Sequence, residues 1–160
     1  MVDKKALLAT LIATLKAEVG TAKRRARDAA DAATHEESRA ENSKDTRATE
    51  ASYVARGQAA HAAELESSLA ALSRLTPRDF DEREPVALGA LVDVDSEGAR
   101  TCYFLLPAAG GRDLDGGPET IATLTTRSPL GRALLGAALG DAVEFAAPQG
   151  ARTVEIVKVR

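Results

Sequence analysis

Two apolar runs that mirror each other constrain this chain more than anything else in it. Leu8, Ile12, Leu15, Val19, Ala22, Ala26, Ala29 and Ala33 recur at alternating spacings of four and three, which is a heptad seam. Reading backwards, Leu72, Leu69, Leu65, Ala62, Gln58, Ala55 and Ala51 repeat the same spacing. In both runs the large residues lie far from the intervening stretch and the alanines lie near it. Opposed leucine-to-alanine gradients predict an antiparallel helical pair whose alanine ends approach closely below a polar tip. Asp3 is the expected N-cap of the first helix, which runs to about residue 42. The second is expected from Thr49 to Leu75, closed by Thr76-Pro77 because proline disfavours a helical conformation before it. Gly20 and Gly57 are weak points, each costing roughly 1 kcal/mol against alanine. A helix of ~35 residues is ~50 Å long, so the pair is read as a probe that carries its tip away from the body.

Composition agrees with that core. Hydrophobic residues make up 44% of the 160 but aromatics only 3%, with no Trp, which suits close helix packing better than a bulky globule. A net charge of -3 is too mild for attraction to nucleic acid over the whole surface, so any such argument must be local. The single cysteine, Cys102, excludes an intramolecular disulfide framework and a cysteine-based zinc site, and mid-strand it reads as a small core residue. No apolar run is long enough to cross a membrane, and the opening residues do not read as a signal peptide, so a cytoplasmic protein is expected.

Charge is patterned along the first helix. Lys23, Arg24, Arg25 and Arg27 form a basic cluster midway, either a solvated helix face or a patch that holds a phosphate backbone. Acidic residues then take over towards the tip. The tip itself, Glu41 to Glu50, carries the carboxylates of Asp45 and Glu50 with Lys44 and Arg47 among them. It is either an ordinary polar turn or part of a Mg2+ site completed by ligands from a partner.

The chain divides into an arm over 1–76, a charged joint over 77–85 and a small β-rich domain over 86–160. Strand signals cover Val86 to Asp95 and Arg100 to Leu106 around a Ser96-Glu97-Gly98 turn. A glycine-rich loop follows, then Ile121 to Thr125 as a third strand. Ser128 reads as the N-cap and Pro129 as the first residue of a short helix. Ala142 to Ala146 and Ala151 to Val159 pair around Pro148-Gln149-Gly150. Five strands and one helix make the fold class α+β. His35 and His61 are isolated, and no Ser/His/Asp set, Walker loop or GxGxxG is present.

From Ser128-Pro129 through Leu134 and Gly136, then Gly140-Asp141, Pro148-Gln149-Gly150 and Val154 to Val159, the pattern resembles the C-terminal domain of the bacterial Gre transcript-cleavage factors. The resemblance covers essentially the whole chain, since those factors also carry an N-terminal antiparallel coiled coil. It implies an FKBP-like β domain that docks on RNA polymerase, with Ser128 and Pro129 in the docking loop. It implies a coiled coil that enters the secondary channel, where Asp45 and Glu50 would share a catalytic Mg2+ with the polymerase. No cofactor is then bound by the protein alone. The partners are RNA polymerase and nascent RNA, the protein is a monomer, and it is not itself an enzyme, since the polymerase performs the hydrolysis. The tip departs from the family's Gly-Asp-Leu-x-Glu-Asn-x-Glu-Tyr. Anchored on Tyr53, Thr49 and Ser52 stand where the two glutamates are expected, and Asp45 falls one residue early. Two mechanisms therefore stay open: stimulated cleavage of backtracked RNA, or channel occupancy that modulates transcription without cleavage. Outside the family, the seam suits a coiled-coil interaction protein. A prolyl-isomerase pocket wants several aromatics, where this domain offers Tyr103, Phe104 and Phe145.

Overall fold

The structure, a computed structural model, describes residues 2–39, 46–81 and 83–160. Helix α1 spans Lys4–Arg39 and α2 spans Thr46–Ser73, so both run unbroken through their internal glycines. Asp3 caps α1 as expected, its Oδ1 accepting from the backbone N–H groups of Lys5 at 2.9 Å and Ala6 at 3.1 Å. Helix α2 begins three residues before the expected Thr49. Two compact units divide the chain: Ile12–Ala70, and Met1–Leu11 with Ala71–Arg160.

In the helical unit the heptad seam is the buried stripe. Leu15, Val19, Ala22, Ala33 and Ala62 are buried, and every other seam position between Ile12 and Leu69 is half-buried. Lys23 of α1 forms an ion pair with Glu66 of α2, joining the two antiparallel helices.

The second unit is built on a six-stranded mixed sheet in the order β3-β4-β2-β1-β6-β5. Its strands are β1 Leu91–Ser96, β2 Ala99–Leu106, β3 Asp113–Asp115, β4 Thr120–Thr125, β5 Ala142–Ala147 and β6 Gly150–Val159. Helix α3, Pro129–Leu134, lies between β4 and β5 in sequence. The expected hairpins form: Ser96 pairs with Ala99 and Ala147 with Gly150. The first turns on Glu97 and Gly98, both at positive φ (55° and 87°), which matches the right-handed twist of the strands.

Two expectations are corrected. The sheet has six strands, not five, because Asp113–Asp115 inside the glycine-rich loop pairs antiparallel with β4. That detour through β3 is what lets β4 lie parallel to β2. The first strand also starts at Leu91 rather than Val86. Gly89 is at φ 89° in a turn, and Val86 instead exchanges backbone hydrogen bonds with Gly136 and Ala137.

One sheet face carries the principal core: Val92 and Val94, Leu105, Val154, Ile156 and Val159, with Leu130 and Leu134 of α3. Facing the other way, Leu91, Cys102, Phe104, Leu106 and Ile121 are also buried. In the same unit Leu7, Leu8, Leu11 and Leu72 are buried at the helix ends. The stretch 77–85 contributes Phe80 to the core. The Arg78 guanidinium lies 3.9 Å from the Phe80 ring centroid and the Lys4 ammonium 4.9 Å, and Lys4 also donates to the Arg78 carbonyl.

Candidate functional site

The residues expected to carry chemistry fall in three places. The first is the end of the helical unit where α1 and α2 approach residues 40–45. Asp45 lies outside the described residues. Glu50 is exposed in the second turn of α2, with its carboxylate open to solvent. Mg2+ takes about six oxygens, so Glu50 supplies at most a fraction of such a site, and the remainder must come from elsewhere.

The second place is the basic cluster on α1. At about 100° per residue, Lys23, Arg24, Arg25 and Arg27 are spread around the exposed arc of the helix rather than gathered on one stripe. Lys23 and Arg25 flank the seam on opposite sides. Lys23 is engaged by Glu66, and the Arg24 Nη2 donates to Thr21 Oγ1 at 3.0 Å. All four are exposed. A phosphate backbone passing on one side of the helix would meet two or three of them.

The third is the start of α3. Ser128 Oγ accepts from Gly131 N–H at 3.0 Å and donates to the Thr125 carbonyl at 2.9 Å. Pro129 follows at the first helical position, where no N–H is needed. A Cβ at Gly131 would sit 2.0 Å from the Thr125 oxygen, so only glycine lets α3 approach the end of β4 this closely. The Ser-Pro-x-Gly pattern is thus first a device for building the loop. Ser128 spends its hydroxyl inside the fold, while Pro129 faces solvent together with Arg132 and Leu135.

One cluster escaped the sequence reading. Arg160 Nη2 lies 3.0 Å from Asp93 Oδ1, 2.6 Å from Glu119 Oε1 and 3.5 Å from Cys102 Sγ. The carboxylates and the thiol lie within 4.8 Å of one another, a spacing that suits a metal ion. Arg160 Nη2 already bonds all three groups, so the cluster is an internal charge network, in which the buried Arg160 Nε has no hydrogen-bond partner. Burial opposes the Arg160 charge, but hydrogen bonds to Glu119 and Asp93 outweigh it and raise the pKa. Burial pushes the Cys102 thiol well above its ordinary range, and hydrogen bonding to Asp93 adds to this. The four residues come from β1, β2, the β3–β4 turn and the end of β6, separations of 41 to 67 residues from Arg160, which no local pattern reveals.

Comparison with known proteins bears on the sheet unit most directly. Residues 82–160 match the family model described as transcription elongation factor, GreA/GreB, C-term. The transcription elongation factor GreA of Ralstonia nicotianae is 32% identical over 98 residues, 61% of this chain and 59% of that protein. GreA of a Jannaschia species is 34% identical over 97 residues, 60% of this chain and 58% of that protein. The chain therefore spans about three fifths of the length of these relatives. Among solved structures, GreA factor homolog 1 (Gfh1) of Thermus thermophilus aligns over 93% of this chain and 94% of its own, at 19% identity and a TM-score of 0.39. Residues 82–160 therefore belong to the GreA/GreB C-terminal domain family.

Proposed function

We propose that this protein is an RNA polymerase-binding transcription factor that acts through the polymerase's secondary channel. The sheet unit docks on the enzyme through the loop at Ser128 and Pro129, and the α1–α2 hairpin reaches the channel. The observation that carries this reading is the GreA/GreB family match over residues 82–160, on a chain whose preceding residues form a two-helix hairpin. The exposed Pro129, Leu135 and Leu139 support a docking role for that side of the sheet unit.

At the channel end, Glu50 with Asp45 would contribute carboxylate oxygens to a Mg2+ shared with the polymerase. That ion, when bound, activates the attacking water and neutralises phosphate charge in hydrolysis of backtracked RNA. A second reading is favoured by Thr49 and Ser52, which stand where the family pattern has acidic residues. In it the hairpin occupies the channel and modulates elongation without stimulating cleavage. In both readings Lys23, Arg24, Arg25 and Arg27 would steer the hairpin along RNA or another polyanion.

The deciding experiment stalls cognate RNA polymerase in a backtracked complex with Mg2+ and adds the protein or its Asp45→Ala and Glu50→Ala variants. Cleavage that both substitutions abolish establishes a cleavage factor. Binding without cleavage establishes a channel-occupying regulator. Failure of the full chain to bind polymerase overturns the proposal.

A further inference from the structure

Residues 12–70 hold one aromatic side chain, Tyr53, and it is the most exposed large apolar side chain among the described residues, at 64%. Val54 beside it is 57% exposed. The other four aromatics, Phe80, Tyr103, Phe104 and Phe145, are all buried or half-buried in the sheet unit. The hairpin is held by alanine and leucine, so an exposed ring adds nothing to its packing. The ring is nevertheless organised. The Arg56 guanidinium lies 5.1 Å from its centroid, and Arg56 Nη2 donates to Ser52 Oγ at 3.3 Å.

Glu50, Tyr53 and Arg56 follow at spacings of three along α2. Each is about 60° round from the last and ~4.5 Å further along, so carboxylate, ring and guanidinium make a short oblique row. With the Arg56 guanidinium over one face of the ring, the other face is left for a base and the cation lies near enough for its phosphate, and stacking of this kind tolerates any base. The exposed α2 residues around it are mixed, with Val54 apolar and Glu50, Arg56, Gly57 and His61 charged, small or polar, and it is the guanidinium held against the ring that favours a nucleotide with its phosphate over an apolar protein surface.

We propose that Tyr53 is a stacking platform for a nucleobase of single-stranded RNA, with Arg56 contacting the adjoining phosphate. This rests on the proposed function, because RNA extruded into the secondary channel is the strand that the hairpin would meet. The ligand class is an unpaired nucleotide at the RNA 3′ end, and the site lies one turn from Glu50.

The test compares the affinity of the full chain for RNA polymerase complexes backtracked by one or more nucleotides with its affinity for complexes that are not backtracked. A further set carries an abasic 3′ nucleotide. The protein is expected to prefer the backtracked complex with an intact base. Tyr53→Ala should remove at least about fivefold of that preference, and Tyr53→Phe should keep it, because the ring alone stacks. Arg56→Ala should lower affinity for backtracked complexes, with or without the base. Equal weakening of all complexes by Tyr53→Ala makes the ring a protein contact and overturns the inference. So does an unchanged preference in that variant, or equal affinity for intact and abasic ends. If wild type binds no complex at all, the proposed function falls first and this inference with it. Circular dichroism of Tyr53→Ala, with the helix content expected unchanged, separates these outcomes from unfolding.

Discussion

Cys102 shows how far a residue's behaviour departs from what its identity suggests. From the sequence it reads as a small core residue, and it is indeed only 4% exposed. Its neighbours are unlike a core: Arg160 donates to its sulfur, and Asp93 lies on the same guanidinium. Because the folded thiol holds its proton more tightly than the ordinary value of 9.0, thiolate is scarce in the native protein at neutral pH. Native protein at pH 8 should therefore resist iodoacetamide for hours, and unfolded protein should be alkylated within minutes, as read by intact mass. The linkage sign follows from the raised value. The stability that Cys102 contributes is whole below pH 9.0 and is lost as pH rises through the folded value. Lys4 runs the other way. Burial lowers its pKa from 10.5, against the attraction of Asp79, so its contribution grows as pH rises towards 10.5. Comparing wild type with Cys102→Ala between pH 8 and 10 cancels the Lys4 effect. The difference in unfolding free energy should shrink as pH rises, and a difference that grows would refute the assignment.

Among the elements, those with a local period or a cap were legible, and those made by distant partners were not. The heptad seam was readable because burial on a helix repeats every three or four residues, and each expected position proved buried or half-buried. The start of α3 was readable because serine and proline have distinct physical uses at a helix N-terminus. Strand β3 was not, since Asp113, Leu114 and Asp115 have no strand signature and are ordered by pairing with β4. Val86 to Ala90 misled in the opposite sense: apolar alternation suggested a strand where the backbone turns at Gly89. Of the candidate site, the four basic residues were visible as a cluster in the chain, but the helix distributes them around its exposed arc. The α3 start also yields a graded prediction. Ser128→Ala removes one capping bond and should cost about 1 kcal/mol. Gly131→Ala drives a methyl group to 2.0 Å from the Thr125 oxygen and should cost about 3 kcal/mol or more, by forcing α3 off β4. Denaturant melts of the two variants check the order, and a Gly131→Ala loss no larger than that of Ser128→Ala would refute this account of the close approach.

At the scale of the whole molecule, the two compact units differ in their chemistry. The helical unit has an alanine seam, exposed charges and one exposed ring, and among its described residues it has nothing that resembles a catalytic set. The sheet unit has the larger apolar core, an internal charge network around Arg160 and exposed apolar side chains near α3. If the sheet unit sets affinity for polymerase and the hairpin sets what happens to the RNA, single substitutions in each should separate the two effects. Pro129→Glu is suited to the first test. The first helical position accepts glutamate, whose charge favours the helix N-terminus, so the fold should hold while the exposed surface changes. That variant should keep the wild-type melting temperature and lose polymerase affinity about tenfold or more, as judged by competition binding. Glu50→Ala should do the reverse, leaving affinity within about twofold because an exposed carboxylate contributes little to docking. It should alter the fate of backtracked RNA, either by abolishing stimulated cleavage or by changing the rate of escape from the pause. Should Glu50→Ala lower affinity as much as Pro129→Glu does, docking and action would not be separate properties of the two units. The hairpin would then itself be a principal binding element, and α3 would have only its structural role.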